Sequence, residues 1–161
     1  MSTTIHPSSI VEDGAELGEG VSVGPFCHIG PEVQLGDHVK LESHVVVTGR
    51  TSIGAGGHLF PFASIGHRPQ DLKYHGEAST LEIGTNAMIR EYVTVQPGTE
   101  HGGMITKVGD HCLLMASAHV AHDCTIGNQV ILGNNVMMAG HCTVEDHVIV
   151  SGGSAAHQYV R

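Results

Sequence analysis

The sequence predicts a left-handed parallel β-helix, on three observations. An aliphatic or small apolar residue returns every sixth position, a small or β-branched residue follows four places later, and glycine often stands directly after the aliphatic one. A six-residue period fits neither an amphipathic helix nor an isolated strand. It fits a triangular coil in which each hexad forms one face and three hexads close a turn. Self-similarity at a fixed period is the mark of a solenoid.

Taken in order, residues 1–4 are a polar lead-in. The repeat then runs through Ile5, Val11, Leu17, Val23, Ile29, Leu35, Leu41, Val47, Ile53, Leu59 and Ile65. Gly18, Gly24, Gly30, Gly36, Gly54 and Gly66 follow six of these, at turns expected to need φ > 0. His6, His28, His38, His44 and His58 fall at outward or turn positions and read as solvated surface or as faces for a neighbouring subunit. The pattern fails over about 67–82, where Asp71 and Glu77 replace aliphatics, and this stretch reads as an excursion loop. Ile83, Ile89 and Val95 resume it, and a glycine-rich stretch over about 97–107 reads as a second loop. From Val108 the repeat continues through Leu114, Val120, Ile126, Leu132, Met138, Val144, Val150 and Ala156. Residues 1–161 therefore read as one β-helical domain with two excursions and almost no α-helix.

Composition limits the partners and the chemistry. Aromatics are only 4% and tryptophan is absent, which suits a narrow prism filled by Val, Ile, Leu, Cys and Ala. A formal charge of −9 argues against nucleic acid. Of the seven basic residues, Arg68, Lys73, Arg90 and Lys107 lie in or beside the two loops and could form a local positive patch. Cys27, Cys112, Cys124 and Cys142 share the inward small-residue slot and show no CxxC spacing. They read as reduced core thiols of a cytoplasmic protein. No apolar run of membrane length is present, so no membrane insertion is expected.

The period also assembles a polar corner. Coils of eighteen residues stack at roughly 4.7–4.9 Å. Adding eighteen to His122 reaches Gly140 and then Gln158, and adding it to Asp123 reaches His141 and then Tyr159. His122, Asp123, Gly140, His141 and Gln158 therefore share one corner, at turn positions outside the packed interior, with His119 pointing outward beside it. A histidine there suits proton transfer near neutrality. Its position at a turn leads to the expectation that replacing it changes stability by about 0.5 kcal/mol or less.

Several segments carry a resemblance. They include Gly-Pro-Phe-Cys-His-Ile-Gly (24–30), Gln-Asp-Leu-Lys-Tyr-His-Gly-Glu (70–77), Gly-Gly-Met-Ile-Thr-Lys-Val-Gly (102–109), Ala-His-Val-Ala-His-Asp-Cys (118–124) and His-Gln-Tyr (157–159). With these the chain resembles the acyl-carrier-protein-dependent UDP-N-acetylglucosamine O-acyltransferases that begin lipid A synthesis in Gram-negative bacteria. The resemblance covers essentially the whole chain. It implies a homotrimer with sites between subunits, transfer of a (R)-3-hydroxyacyl group from acyl carrier protein to the sugar 3-position, and no cofactor or metal. It also implies His122 as general base, Asp123 as its orienting partner and the Gly140 N–H as oxyanion donor. Gln70, Asp71, Lys73, His119, His141 and Gln158 would bind the substrate.

Two departures stand out. Pro97 occupies the place where the family usually has an arginine, and the chain reaches Arg161 without the further coils and C-terminal helical domain that family members carry, so it reads as truncated. Two other readings use the same fold. A zinc hydro-lyase of the γ-class carbonic anhydrase type, also a trimer, would draw its three ligands from His119, His122 and His141 of two subunits. A non-catalytic trimeric scaffold would leave the corner and both loops without a role.

Overall fold

The computed structural model describes residues 2–161. Its strands form three parallel sheets of eight, eight and seven strands, and within each sheet every strand pairs with the strand three places on in sequence. This is the prism of a left-handed parallel β-helix. Most strands are two residues long, such as Ile10–Val11 and His119–Val120, because each spans only one short face. One residue of each pair points inward and the other outward, as the two-residue side-chain period requires. The only helix among the described residues is the 3-10 turn Glu100–Gly102, and none is long and apolar enough to cross a membrane.

The register measures the excursions. Paired residues are eighteen apart in a regular coil (Thr4 with Ser22), thirty apart across the first excursion (His58 with Met88) and twenty-five across the second (Met88 with Leu113). The excursions therefore add twelve and seven residues to their coils. Pairing resumes at Thr80 and at Ile105, ahead of the next inward aliphatics, because Thr80–Ile83 and Ile105–Val108 are four-residue strands stacked on Arg50–Ile53. Both excursions leave the prism at the same corner, which is the corner that carries His122.

The aliphatic column fills the interior, with Ile29, Leu41, Leu59, Ile65, Ile89, Leu114 and Leu132 fully buried. The four cysteines are buried and free. Each thiol lies against a backbone carbonyl fifteen residues on: Glu42 for Cys27, Gly127 for Cys112, Ala139 for Cys124 and His157 for Cys142, at 2.9–3.1 Å. Burial pushes the Cys124 thiol up to about 12, so it stays a thiol and fills space.

One expectation about the turns needs correcting. Of the six glycines that follow an aliphatic, only Gly66 has positive φ. The others are required by close approach: a Cβ on Gly54 would stand 2.7 Å from the backbone of Gly84 and Thr85 in the next coil. The left-handed position lies two residues later, and it is held mostly by ordinary side chains, among them Phe26, His44, Phe62, Tyr92, Asp123 and His141. The N-terminal histidines lie at the surface as expected, and three of them also make contacts between coils. His28 and His58 meet Glu12 and Glu42 at 2.6 and 2.8 Å. His44 stacks between Phe26 and Phe62, each 5.0 Å away.

Close approach and left-handed φ give opposite substitution rules. Gly54→Ala should lower stability by about 1–3 kcal/mol through overpacking against backbone. His147→Gly, at φ 64° on an exposed turn, should be neutral or stabilising by up to about 1 kcal/mol. Denaturant melts of the two variants check this, and the reverse ranking would contradict it.

Candidate active site

Register alone places the corner residues. His119 and Val120 pair with Met137 and Met138, which pair in turn with Ala155 and Ala156. The three strands enter one column of turns, tied by His141 N–H to the His122 carbonyl at 3.1 Å and Tyr159 N–H to the Gly140 carbonyl at 3.3 Å. The His122 and His141 rings meet edge to face at 5.0 Å, and His141 stacks on Tyr159 at 4.5 Å. Gly140 lies under the His122 ring so closely that a Cβ would stand 2.5 Å from Cε1. Its own N–H donates to no acceptor among the described residues. Gln158 sits at the outer end of this column and is exposed.

His122 and Asp123 are buried, which corrects the expectation that they stand outside the packed interior: His122 is 6% exposed. The cause is the second excursion, which folds over the corner. Thr99 donates from its N–H to Asp123 Oδ1 at 2.8 Å and from its hydroxyl to Oδ2 at 2.6 Å. Asp123 N–H in turn donates to Thr106 Oγ1 at 2.7 Å. Gly102 is pressed against the same carboxylate, where any side chain would coincide with it. Asp123 Oδ2 also meets His122 Nδ1 at 2.8 Å. With the carboxylate accepting, its partners assign the imidazole proton to Nδ1 and a lone pair to Nε2. Nε2 faces Asp71 Oδ2 at 4.0 Å.

The first excursion delivers Asp71. Gln70 N–H donates to the buried Gln96 side chain at 3.1 Å, and Lys73 N–H donates to Asp71 Oδ1 at 2.9 Å. The Lys73 ammonium is exposed, 3.9 Å from Asp71. The Lys73 N–H bond, followed by the charges of Lys73, His122 and His101, outweighs desolvation and holds the Asp71 carboxyl below its ordinary range. Glu77 joins the two excursions, accepting from Glu100 N–H at 3.1 Å and His75 N–H at 2.8 Å. Desolvation raises its carboxyl, but these backbone bonds leave it below the usual value. His119 is half-buried, with Nδ1 2.7 Å from Thr94 Oγ1. Burial first, and His122 second, push its imidazole below the ordinary histidine value.

The structure brings together His122, Asp123, Gly140, His141 and Asp71, flanked by His119, Gln70 and Lys73. Thr99, Thr106, Gln96 and Glu77 were not legible as site residues, since only the folding of the excursions carries them to the corner. The expected positive patch is not formed: Arg90, Lys107 and Lys73 face Glu91, Glu82 and Asp71, and Arg68 donates to the Tyr74 carbonyl. The zinc reading would draw its histidines from two subunits, and a single chain does not bring His119, His122 and His141 together as one ligand group. Among the described residues the group able to share an ion is His122, Asp123 and His141. His119 Nδ1 is engaged with Thr94, and Asp123 is enclosed by Thr99 and His122.

Comparison with known proteins shows what the chain is similar to. The profile of the bacterial transferase hexapeptide family (six repeats) matches residues 14–49 and 105–140. The acyl-[acyl-carrier-protein]–UDP-N-acetylglucosamine O-acyltransferase of Sinorhizobium fredii (strain NBRC 101917 / NGR234) is 59% identical over 161 residues, covering 99% of this chain and 59% of that relative. The protein of the same name from Paracoccus denitrificans (strain Pd 1222) is 62% identical over 103 residues, 64% of this chain and 40% of its own length. The crystal structure of UDP-N-acetylglucosamine O-acyltransferase from Moraxella catarrhalis superposes with a TM-score of 0.94 at 42% identity, over 96% of this chain and 60% of that one. The chain thus spans about three-fifths of the relatives it matches from end to end.

The two depressed carboxyls give a pH prediction. A carboxyl whose folded pKa is lowered contributes stability above its unfolded value, about 3.9 for Asp and 4.3 for Glu, and loses it as pH falls through the folded value. Protection of the Lys73, His75 and Glu100 amides against hydrogen exchange, measured relative to the intrinsic rate at each pH, should therefore be high at neutral pH and fall in acid before the coils open. Glu77→Ala should quicken exchange at His75 and Glu100 at neutral pH as well. Protection that is independent of both would contradict the clamp.

Proposed function

As the chain belongs to the hexapeptide-repeat family of UDP-N-acetylglucosamine O-acyltransferases, we propose that it carries the site for the acyl transfer that opens lipid A synthesis. The reading moves a (R)-3-hydroxyacyl group from acyl carrier protein to the 3-position of UDP-N-acetylglucosamine. The observation that carries it is the enclosed His122–Asp123 pair, 2.8 Å across, lying over Gly140.

Each residue has a role in this reaction. His122 Nε2 takes the proton from the sugar 3-hydroxyl as that oxygen attacks the thioester carbonyl. The Gly140 N–H donates to the oxyanion of the tetrahedral intermediate, where one preorganised donor is worth ~10²–10³ in kcat. The intermediate collapses by breaking the C–S bond, and the protonated imidazole returns its proton to the departing carrier thiolate. Asp71 and Lys73 hold the sugar, and Gln70, His119, His141 and Gln158 line the path of sugar and acyl chain. Beside the corner the outward residues His119 and Met137 are half-buried and exposed, which supports a site completed by a neighbour in a homotrimer. Four reduced, buried thiols suit a reducing, cytoplasmic setting.

The test is steady-state acyl transfer from a 3-hydroxyacyl carrier-protein thioester to UDP-N-acetylglucosamine, with metal content measured in parallel. His122→Ala should lower turnover ~10²–10⁴-fold, with a smaller change in affinity for the nucleotide sugar. Because His122 is buried and bonded, the same change should cost about 1–3 kcal/mol, more than its turn position alone predicts. Unchanged turnover in the folded variant, or one zinc per site with chelator inhibition in the wild type, would overturn the reading.

A further inference from the structure

We propose that Thr99 is a positioning residue for His122, the outer member of a Thr99–Asp123–His122 relay that the second excursion supplies. The proposal rests on the reading of His122 as the general base. Thr99 gives Asp123 two donors at once, its amide to Oδ1 at 2.8 Å and its hydroxyl to Oδ2 at 2.6 Å. Oδ2 is also the oxygen that meets His122 Nδ1 at 2.8 Å. The Thr99 hydroxyl and the imidazole N–H therefore share one acceptor atom, so the hydroxyl fixes the direction in which that atom presents its remaining lone pair. None of this is open to water: Thr99 is 1% exposed and the Asp123 side chain 0%.

Thr99 is itself held from several sides. Its carbonyl accepts from Gly102 and Met104 N–H at 3.1 and 3.0 Å, closing the short turn Glu100–Gly102 on it. The neighbouring Glu100 N–H is fixed by Glu77, and the Gly98 N–H by the Thr80 carbonyl at 3.2 Å. Without the hydroxyl, Asp123 could rotate its carboxylate and accept differently from the imidazole. The His122 proton would then distribute between Nδ1 and Nε2, and only the form with a free Nε2 can act as base.

The test replaces Thr99 with its isostere. In Thr99→Val the full chain should lose ~10–100-fold in kcat, the effect of an unmade bond to a buried carboxylate, while KM for UDP-N-acetylglucosamine changes by less than about threefold. Thr99→Ser, which keeps the hydroxyl, should recover kcat to within about threefold, a rescue that methyl packing alone would not give. Nitrogen-15 NMR of the His122 ring should show one Nδ1–H tautomer in the wild type and the serine variant, and a mixture in the valine variant. A folded valine variant with wild-type kcat and an unchanged tautomer overturns the proposal, as does serine that fails to rescue. If the valine variant does not fold, Thr99→Cys, a weaker donor, decides instead: intermediate kcat supports the relay and wild-type kcat overturns it. If the wild type transfers no acyl group, the general-base reading falls, and the tautomer comparison still decides whether Thr99 sets the imidazole.

Discussion

The arrangement of this corner depends on one constraint: the Asp123 carboxylate is sealed from water and must find all its hydrogen bonds inside the protein. A buried carboxylate without partners is among the costliest features a fold can contain. Here the donors come from Thr99 and His122. Satisfying the carboxylate therefore draws the second excursion down onto the prism and turns His122 so that Nδ1 points inward. The orientation of Nε2 follows from where Nδ1 has to be.

The solenoid makes that constraint achievable with little sequence. Successive turns stack at the strand spacing, so a glycine at one level leaves room for a ring at the level below, as Gly140 does for His122. The same close approach explains Gly54 and its equivalents, which make room for the backbone of the next coil. Rigid parallel coils hold the corner, and two irregular excursions leave the prism at the corner that needs covering. Regular structure supplies the spacing and irregular structure supplies the enclosure.

Much of this was readable beforehand, for a physical reason. A strict hexad ties sequence separation to spatial neighbours, so His122, Gly140 and Gln158, or Asp123, His141 and Tyr159, could be stacked by counting eighteen residues. The inward cysteines were readable in the same way. Counting stops where the period stops. Thr99, Glu77 and Gln96 reach the corner through the particular folds of residues 66–79 and 96–104, which no repeat encodes. The burial of His122 was misread for the same reason, because its cover comes from a loop rather than a coil. The glycines were found at the right positions with the wrong cause: left-handed φ falls two residues later, on side chains such as Asp123 and His141.

The proposed function requires that Asp123 hold the Nδ1 edge of the His122 ring so that Nε2 is left to receive a proton from the sugar. A crystal structure of the protein with UDP-N-acetylglucosamine tests it most directly. The sugar 3-oxygen should lie about 2.6–3.2 Å from His122 Nε2, with Nδ1 still on Asp123 and Asp71 within reach of the sugar. A sugar bound with its 3-oxygen away from Nε2, or an ion between His122 and His141, would contradict it.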